Sequence, residues 1–531
     1  MTDRNQAMKQ SDLDTSLRPL VGLALGPLLF FMLLFMPTPG ALEPVAMRMA
    51  AVAALMAVWW ITEAIPIPAT ALLPLPLFPL LGILPAAETP LSYADRMIYL
   101  FFGGFLIAVA MQQVGLHRRI ALHIIRAIGS SPPRLLLGFM VASSFLSLWI
   151  SNTATTMMML PIAMAVVLQM SDTANGGGGN GEKLRSSFGL VLMLGIAYSA
   201  SIGGVGTLVG TPPNIVMAGF VRKLFPDAPE INFLQWMMLG LPLVAVFVPI
   251  AWLYLVRWGS DINLNKLKGL DQHSGAAYLD DQIRELGRMR WGEKAVLTVF
   301  CLTALAWIFR KPIDFGIFST WGLTRAFPLI DDSTVAMTMG VSLFLIPAEK
   351  GSGKRFLLDW KAVRAGMPWG ILILYGGGFA LANGMEATGL ALWLGGQLSW
   401  LSSVPVPVMI LATCLMLTFL TEITSNTATT TMLIPVLATA AVAMGTHPYL
   451  LMIPATISAS CAFMLPVATP PNAIVFGSGW VRIPQMARAG LWLNLIGIVL
   501  VTIAVYTVGL AVFDIDPGVV PEWASHMAVG K

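Results

Sequence analysis

Six residues, Ser-Asn-Thr-Ala-Thr-Thr, occur twice in the chain, at Ser151 to Thr156 and at Ser425 to Thr430, and each copy is followed by a proline, Pro161 and Pro435. The surroundings are apolar: 56% of the residues are hydrophobic and only 11% are charged, against about 25% charged in soluble domains. Burying polar side chains in such surroundings is costly unless they find partners. A duplicated polar block therefore points to one site assembled from two related halves.

With a mean hydropathy of +0.77, the chain reads as an integral membrane protein with room for roughly ten or more spans of about 20 residues. Apolar stretches such as Leu20 to Met36, Leu239 to Leu255, Ala295 to Phe309 and Leu491 to Val508 have a suitable length. Met1 to Arg18 is polar and lacks the pattern of a cleavable leader, so the first apolar run reads as a span. Cys301, Cys414 and Cys461 all lie in apolar sequence and read as packing residues, neither a disulfide framework nor metal ligands. The five histidines are scattered without metal spacing and read as interfacial. The net charge of +4 is better used for topology than as a sign of nucleic-acid binding.

Basic residues cluster in Arg118, Arg119, Arg126 and Arg134, in Arg257 to Lys294, and in Lys350 to Arg364. The positive-inside rule puts these segments and the amino terminus in the cytoplasm. Residues 259–294 then read as a solvated cytoplasmic linker between two halves, and Asn175 to Gly181 as a flexible loop tip.

The halves align. Gly103, Gly104 and Phe105 match Gly377, Gly378 and Phe379, Met111 matches Met385, and the Ser-Asn-Thr blocks fall in the same register, 274 positions apart. A second pair follows, Gly210-Thr211-Pro212-Pro213-Asn214 and Ala468-Thr469-Pro470-Pro471-Asn472, at a displacement of 258. The shortfall matches an insertion in the first copy, Ser171 to Ser186. Counting spans, the first Gly-Gly-Phe helix starts from outside and the second from inside, just after Arg364. The repeats are predicted to be inverted across the membrane, which brings both motif sets to mid-bilayer.

Two successive prolines remove two N–H donors, so each Thr-Pro-Pro-Asn must break its span. Such backbone is tolerated at membrane depth only where protein or water covers it. The break offers carbonyl oxygens to a hard cation and helix N–H groups to an anion. Ser, Asn and Thr between two apolar arms suggest the tip of a re-entrant hairpin. No Lys, Arg or His lies in any of these motifs, and the nearest ionisable residue is Glu422. An anion here needs other counter-charge, which co-bound sodium ions would supply. Hydrolytic chemistry is disfavoured because no serine of the motifs has a His or Lys beside it to act as base. Ser/Thr-rich stretches can also be packing glue between helices, but the second copy and the two Pro-Pro breaks argue for a site. Glu63, Glu386 and Glu422 are functional candidates by default for which a structural role is the preferred reading.

The duplicated blocks, the paired Pro-Pro breaks and Trp60-Ile61-Thr62-Glu63-Ala64 ahead of a proline-rich span together resemble the divalent anion/sodium symporter family, over about Leu20 to Leu510. The resemblance implies an all-α polytopic fold with eleven transmembrane helices and two opposed re-entrant hairpins. It also implies a homodimer with scaffold and transport domains and elevator-type alternating access. It implies co-transported sodium, two or more ions, with no organic cofactor, no enzymatic activity and no nucleic-acid partner, in the lipid of the inner (plasma) membrane. The expected cargo is a C4-dicarboxylate; citrate or sulfate symport, exchange by the same fold, and an anion channel are the alternatives.

Carried over residue by residue, one sodium site is implied at Ser147, Ser151, Asn152 and Gly210, and another at Thr421, Thr424, Asn426 and Ala468. The substrate carboxylates would be held by Asn152, Thr153, Asn426 and Thr427, beside Thr211, Thr469 and Pro470. Thr211 stands where bacterial members usually have serine, and Thr424 where alanine is common. Exchanger members place a basic side chain where sodium would sit, and none occurs here. The expected organisation is an N-terminal segment 1–18, scaffold helices 19–95, and a transport half 96–230 with a hairpin at 137–170 and a break at 210–214. A scaffold helix 231–258 and the linker 259–294 follow. Then come scaffold helices 295–365, a transport half 366–480 with a hairpin at 408–444 and a break at 468–472, a last scaffold helix 481–511, and an extracytoplasmic tail 512–531.

Overall fold

The computed structural model describes residues 2–40, 42–175, 180–259, 272–313, 319–349, 353–397 and 404–527. Among these residues every regular element is helical, the only β feature being an isolated bridge between Pro347 and Phe356. Helices satisfy their own backbone, which is what lipid demands of a spanning segment. Nine described helices are long and apolar enough to cross a membrane, or ten if Trp360–Gly366 and Trp369–Ala387, bent by 64° at their junction, form one span. The expected eleven is a larger number because Ile67–Leu80, Val406–Thr421 and Tyr449–Ala459 are apolar but short.

The element order recurs. Arg96–Val114, Pro132–Ser147, Asn152–Asn175, Asn180–Gly204 and Pro212–Leu224 in the first half follow the same sequence as Trp369–Ala387, Val406–Thr421, Asn426–Ala443, Tyr449–Ala459 and Pro470–Gly477 in the second. The local causes recur with it. Each Gly-Gly-Phe helix is followed within two residues by a glycine in the left-handed region, Gly115 at φ 77° and Gly389 at φ 71°, a conformation that costs glycine little. Each polar block starts a helix at its asparagine, Asn152 or Asn426, five residues beyond the end of the preceding arm. Each Pro-Pro pair occupies the first turn of a new helix after an extended threonine, Thr211 at φ −140° and Thr469 at φ −153°, where the missing N–H groups have no helical partner to lose.

The helices Thr2–Phe35 and Pro44–Thr62 pack against each other and, with Trp369–Ala387, build a small apolar core of their own around Met49, Val52, Met56, Trp60 and Phe78. The rest of the described chain shares one large core. This arrangement sets the end of helix Pro44–Thr62 beside the second half.

Three expectations are corrected. The linker 259–294 is not simply solvated: residues 260–271 lie outside the described residues, but Gln272–Leu286 is a helix packed on Leu116–Ile128 and Asn152–Asn175. Its Asp280 pairs with Arg126 at 2.6 Å, and just beyond it the buried Glu293 pairs with Arg119 at 2.7 Å. Alternation of apolar Tyr278, Leu279, Ile283 and Leu286 with charged residues gave that helix a face to bury. The insertion Ser171 to Ser186 is largely two helical extensions, up to Asn175 and from Asn180; of the loop tip Asn175 to Gly181, residues 176–179 lie outside the described residues. His447 is buried, 4% exposed, in a ring cluster with Tyr449 and Trp523.

Candidate functional site

Both polar blocks and both Pro-Pro breaks line one cavity of about 620 Å³. Its wall contains all seven residues expected to hold the substrate: Asn152, Thr153 and Thr211 from the first half, and Asn426, Thr427, Thr469 and Pro470 from the second. Ser151, Ser425 and Ala468 line it as well. Pro68, Pro368, Gly370 and Leu374 complete the wall, together with Glu63 at the end of helix Pro44–Thr62. Four helices therefore begin at this cavity, Asn152–Asn175, Pro212–Leu224, Asn426–Ala443 and Pro470–Gly477; the two that start at asparagine bring first-turn N–H groups to it, whereas the two that start at Pro-Pro have none in their first two residues. Such helix starts attract anions without any cationic side chain.

Of the residues expected to hold sodium, Ser151, Asn152, Asn426 and Ala468 line the cavity, whereas Ser147, Gly210, Thr421 and Thr424 do not. Ser147 and Thr421 stand one layer behind it. Ser147 Oγ lies 2.5 Å from Asn152 Oδ1, and Thr421 Oγ1 lies 2.7 Å from Asn426 Oδ1 and 2.9 Å from the carbonyl of Ala459. A hydroxyl carries one proton, so three oxygens meet at Thr421 with a single hydrogen among them. Gly210 sits where an added Cβ would be 2.5 Å from the Gly204 carbonyl and 2.9 Å from that of Ser147. Both places are rich in uncharged oxygen, the donor set of a hard cation. Thr424 turns its hydroxyl away, to the Leu420 carbonyl at 2.8 Å and to Thr429.

The breaks are held open by side chains whose roles were not read from the sequence. Asn214 Nδ2 donates to the carbonyls of Gly204 and Thr207 at 3.2 and 2.7 Å, and Asn472 Nδ2 to those of Ala462 and Leu465 at 3.1 and 3.0 Å. Both asparagines reach back by ten and seven residues, and both are fully buried. They satisfy carbonyls that the proline breaks leave without a helical partner. In the second half Glu422 adds to this: buried, it accepts from the backbone N–H groups of Phe463, Met464 and Leu465 and from Asn494 Nδ2 at 2.7 to 3.1 Å. Its counterpart in the first half is Leu148, whose carbonyl accepts from Thr207 Oγ1. The preferred structural role of Glu422 agrees with these contacts.

Three further residues belong to the site. Gly204 is packed so closely that an added Cβ would lie 2.5 Å from Asn152 Oδ1; the Gly203-Gly204 pair was the available signal. Arg18 donates to the carbonyls of Ile61 and Ile423, tying the first helix to the end of helix Pro44–Thr62 and to the turn before Ser425. Contacts of 43 and 405 positions' separation leave no local signal. Glu63, for which only a structural role was preferred, stands in the cavity wall with a left-handed backbone, φ 52°.

Residues 20–513 match the family described as the sodium:sulfate symporter transmembrane region. The chain is 44% identical over 497 residues to the sodium-dependent dicarboxylate transporter SdcS of Staphylococcus saprophyticus, an alignment covering 94% of this chain and 92% of that protein. It is equally similar, over 499 residues with the same coverage, to SdcS of Staphylococcus aureus. Among solved structures it resembles the Alcanivorax borkumensis YdaH transporter, with TM-score 0.55 and 14% identity over 86% of this chain and 98% of the other. It also resembles Neisseria gonorrhoeae MtrF, with TM-score 0.50 and 13% identity over 91% and 98%. At these identities the last two speak to the fold alone.

Proposed function

The chain belongs to the sodium:sulfate symporter family, and from that premise we propose that it is a secondary transporter that couples sodium entry to uptake of C4-dicarboxylates of the succinate, malate and fumarate class. The observation that carries this reading is the single cavity shared by both copies of the polar block. Among the described residues its wall offers helix N–H groups, two amides and several hydroxyls, and no cationic side chain. A dianion needs two positive charges in such a place, and the oxygen clusters behind Asn152 and Asn426 suit two sodium ions, one per half. Anion and cation binding then reinforce each other, which is the thermodynamic content of coupling. The 44% identity to SdcS, named a sodium-dependent dicarboxylate transporter, supports the choice of cargo.

In this reading Asn152, Thr153, Asn426 and Thr427 bind the carboxylates beside Thr211, Thr469 and Pro470. Ser147, Ser151, Asn152 and Gly210 hold one sodium, and Thr421, Thr424, Asn426 and Ala468 another, with Thr424 contributing its backbone carbonyl. The repeats are inverted, the N-terminus is cytoplasmic, the protein lies in the plasma membrane as a homodimer, and the half-sites travel as a body against the scaffold helices. The family description favours sulfate as a second reading, and citrate would also fit a cavity of this size.

The test is a cargo panel of succinate, malate, fumarate, citrate and sulfate in proteoliposomes, with sodium, proton and potassium gradients imposed separately. Saturable succinate uptake driven by sodium alone is expected. Uptake indifferent to sodium refutes the symport, and current down either gradient alone indicates a channel.

A further inference from the structure

A second cavity, of about 250 Å³, shares no lining residue with the first. It is enclosed by the turn between helices Asn426–Ala443 and Tyr449–Ala459, the segment leading into helix Phe233–Trp258, and the chain that follows Ile483–Val512. Each of these segments adjoins the end of a helix long and apolar enough to span the bilayer, which puts the cavity at headgroup depth. Its wall is aromatic. The ring centroids of His447, Tyr449 and Trp523 are 4.8 to 5.3 Å apart, and Phe513 lies 6.0 Å from Tyr449. Asp514 and Asp516 stand exposed at the rim. Among the described residues neither enters a salt bridge, and no Lys or Arg lines the cavity.

One donor faces this space without a partner. His447 is 4% exposed, and its Nδ1 accepts from the Tyr449 backbone N–H at 3.2 Å. The ring is neutral, since burial lowers its pKa to about 4, so its single proton is on Nε2. Among the described residues Nε2–H has no acceptor. A buried donor of this kind calls for a guest that carries an oxygen.

We propose that this cavity binds an amino alcohol, free or as the headgroup of a lipid: an ammonium group with a hydroxyl or phosphoester oxygen two carbons away, as in ethanolamine and choline. The ammonium lies at the rim, where the two carboxylates and the aromatic wall both attract a cation. The oxygen reaches inward and accepts from His447 Nε2–H. Other small guests fit less well. A metal ion would need the Nε2 lone pair, which would move the ring proton to Nδ1, against the Tyr449 N–H. A bare inorganic cation leaves Nε2–H without an acceptor, and an inorganic anion meets two carboxylates.

The purified full-length protein, in nanodiscs of phosphatidylglycerol at low ionic strength, would be titrated with radiolabelled choline, ethanolamine and tetramethylammonium. Saturable binding of choline or ethanolamine is expected. A carboxylate about 4 Å from the ammonium is worth about fivefold in affinity, so Asp514→Asn with Asp516→Asn should weaken binding about 25-fold. Asparagine accepts the left-handed backbone of Asp514, φ 51°, and so tests the charge alone. Trp523→Leu should weaken binding about threefold. His447→Phe should lower the affinity for choline towards that for tetramethylammonium, which has no oxygen, and leave the latter unchanged. Phosphatidylethanolamine or phosphatidylcholine in the nanodisc that displaces the free amine identifies a lipid headgroup as the occupant; undiminished binding identifies the free amine. Absence of saturable amine binding at millimolar concentration overturns the inference. So does unaltered binding in the double asparagine variant at an unchanged melting midpoint. Sodium-driven succinate uptake reports on the other cavity, and its failure would leave this inference standing.

Discussion

Thr421 Oγ1 lies 2.7 Å from Asn426 Oδ1, and the same pairing recurs between Ser147 and Asn152, 274 positions earlier. The hydroxyl belongs to the end of one arm and the amide to the start of the next, so the pair fixes how each tip turns. It also leaves Nδ2 of each asparagine as a donor at the cavity wall.

Asn152→Ala and Asn426→Ala should each reduce sodium-driven uptake by tenfold or more, because one side chain supplies both an oxygen to the cluster behind it and a donor to the cavity. Loss of a hydrogen bond to a charged partner is worth about 1.5–3 kcal/mol. Thr421→Ser, which keeps the hydroxyl, should stay near normal. Initial rates at matched protein content would decide this, and near-normal uptake in either alanine variant would count against the site.

Gly204→Ala should abolish uptake, since its methyl group would sit 2.5 Å from Asn152 Oδ1 and must displace that amide. Gly104→Ala is the control: its methyl would meet Val209 at 3.5 Å, an ordinary contact. The comparison separates crowding of the tip from a general intolerance of alanine in these helices, and uptake by both variants would refute the assigned crowding.

Glu422→Ala should lower thermal stability in detergent, by about 3 kcal/mol, because the buried N–H of Phe463 and the half-buried ones of Met464 and Leu465 lose their acceptor. Glu422→Gln keeps one carbonyl oxygen and should fall between. A melting midpoint unchanged in the alanine variant would show that other groups satisfy the break.

His447, in the loop between helices Asn426–Ala443 and Tyr449–Ala459, titrates at about 4 instead of the ordinary 6.5; burial opposes its charge, and Asp514 and Asp516 only partly offset this. A depressed pKa means that the unfolded chain binds the proton first. Stability from this group is full above pH 6.5 and is lost as pH falls towards about 4, amounting to up to about 3 kcal/mol. His447→Gln should flatten the melting profile over that interval. An identical acid limb in both proteins would contradict this.

Much of the site was readable before any coordinates because its chemistry is written in contiguous, duplicated words. Ser-Asn-Thr-Ala-Thr-Thr and Thr-Pro-Pro-Asn carry their own capping and breaking rules, so the start of a helix at Asn152 or Pro470 follows from the residues themselves. The charges of the Gln272–Leu286 helix read locally as solvation, whereas its Asp280 pairs with Arg126 across the fold. His447 was misread because a lone histidine between two apolar runs says nothing about the rings that will close over it.

By itself the sequence determined the class, the repeat, the two breaks and the oxygen-bearing residues, because these depend on short-range propensity and on the intolerance of lipid for unpaired backbone. Only the tertiary structure decided which residues share one cavity, that Glu422 stitches the second break, and that Arg18 and Glu63 stand beside the tips. Those relationships join positions tens to hundreds of residues apart, and burial and charge at such places are set by what packs across them, which no local pattern encodes.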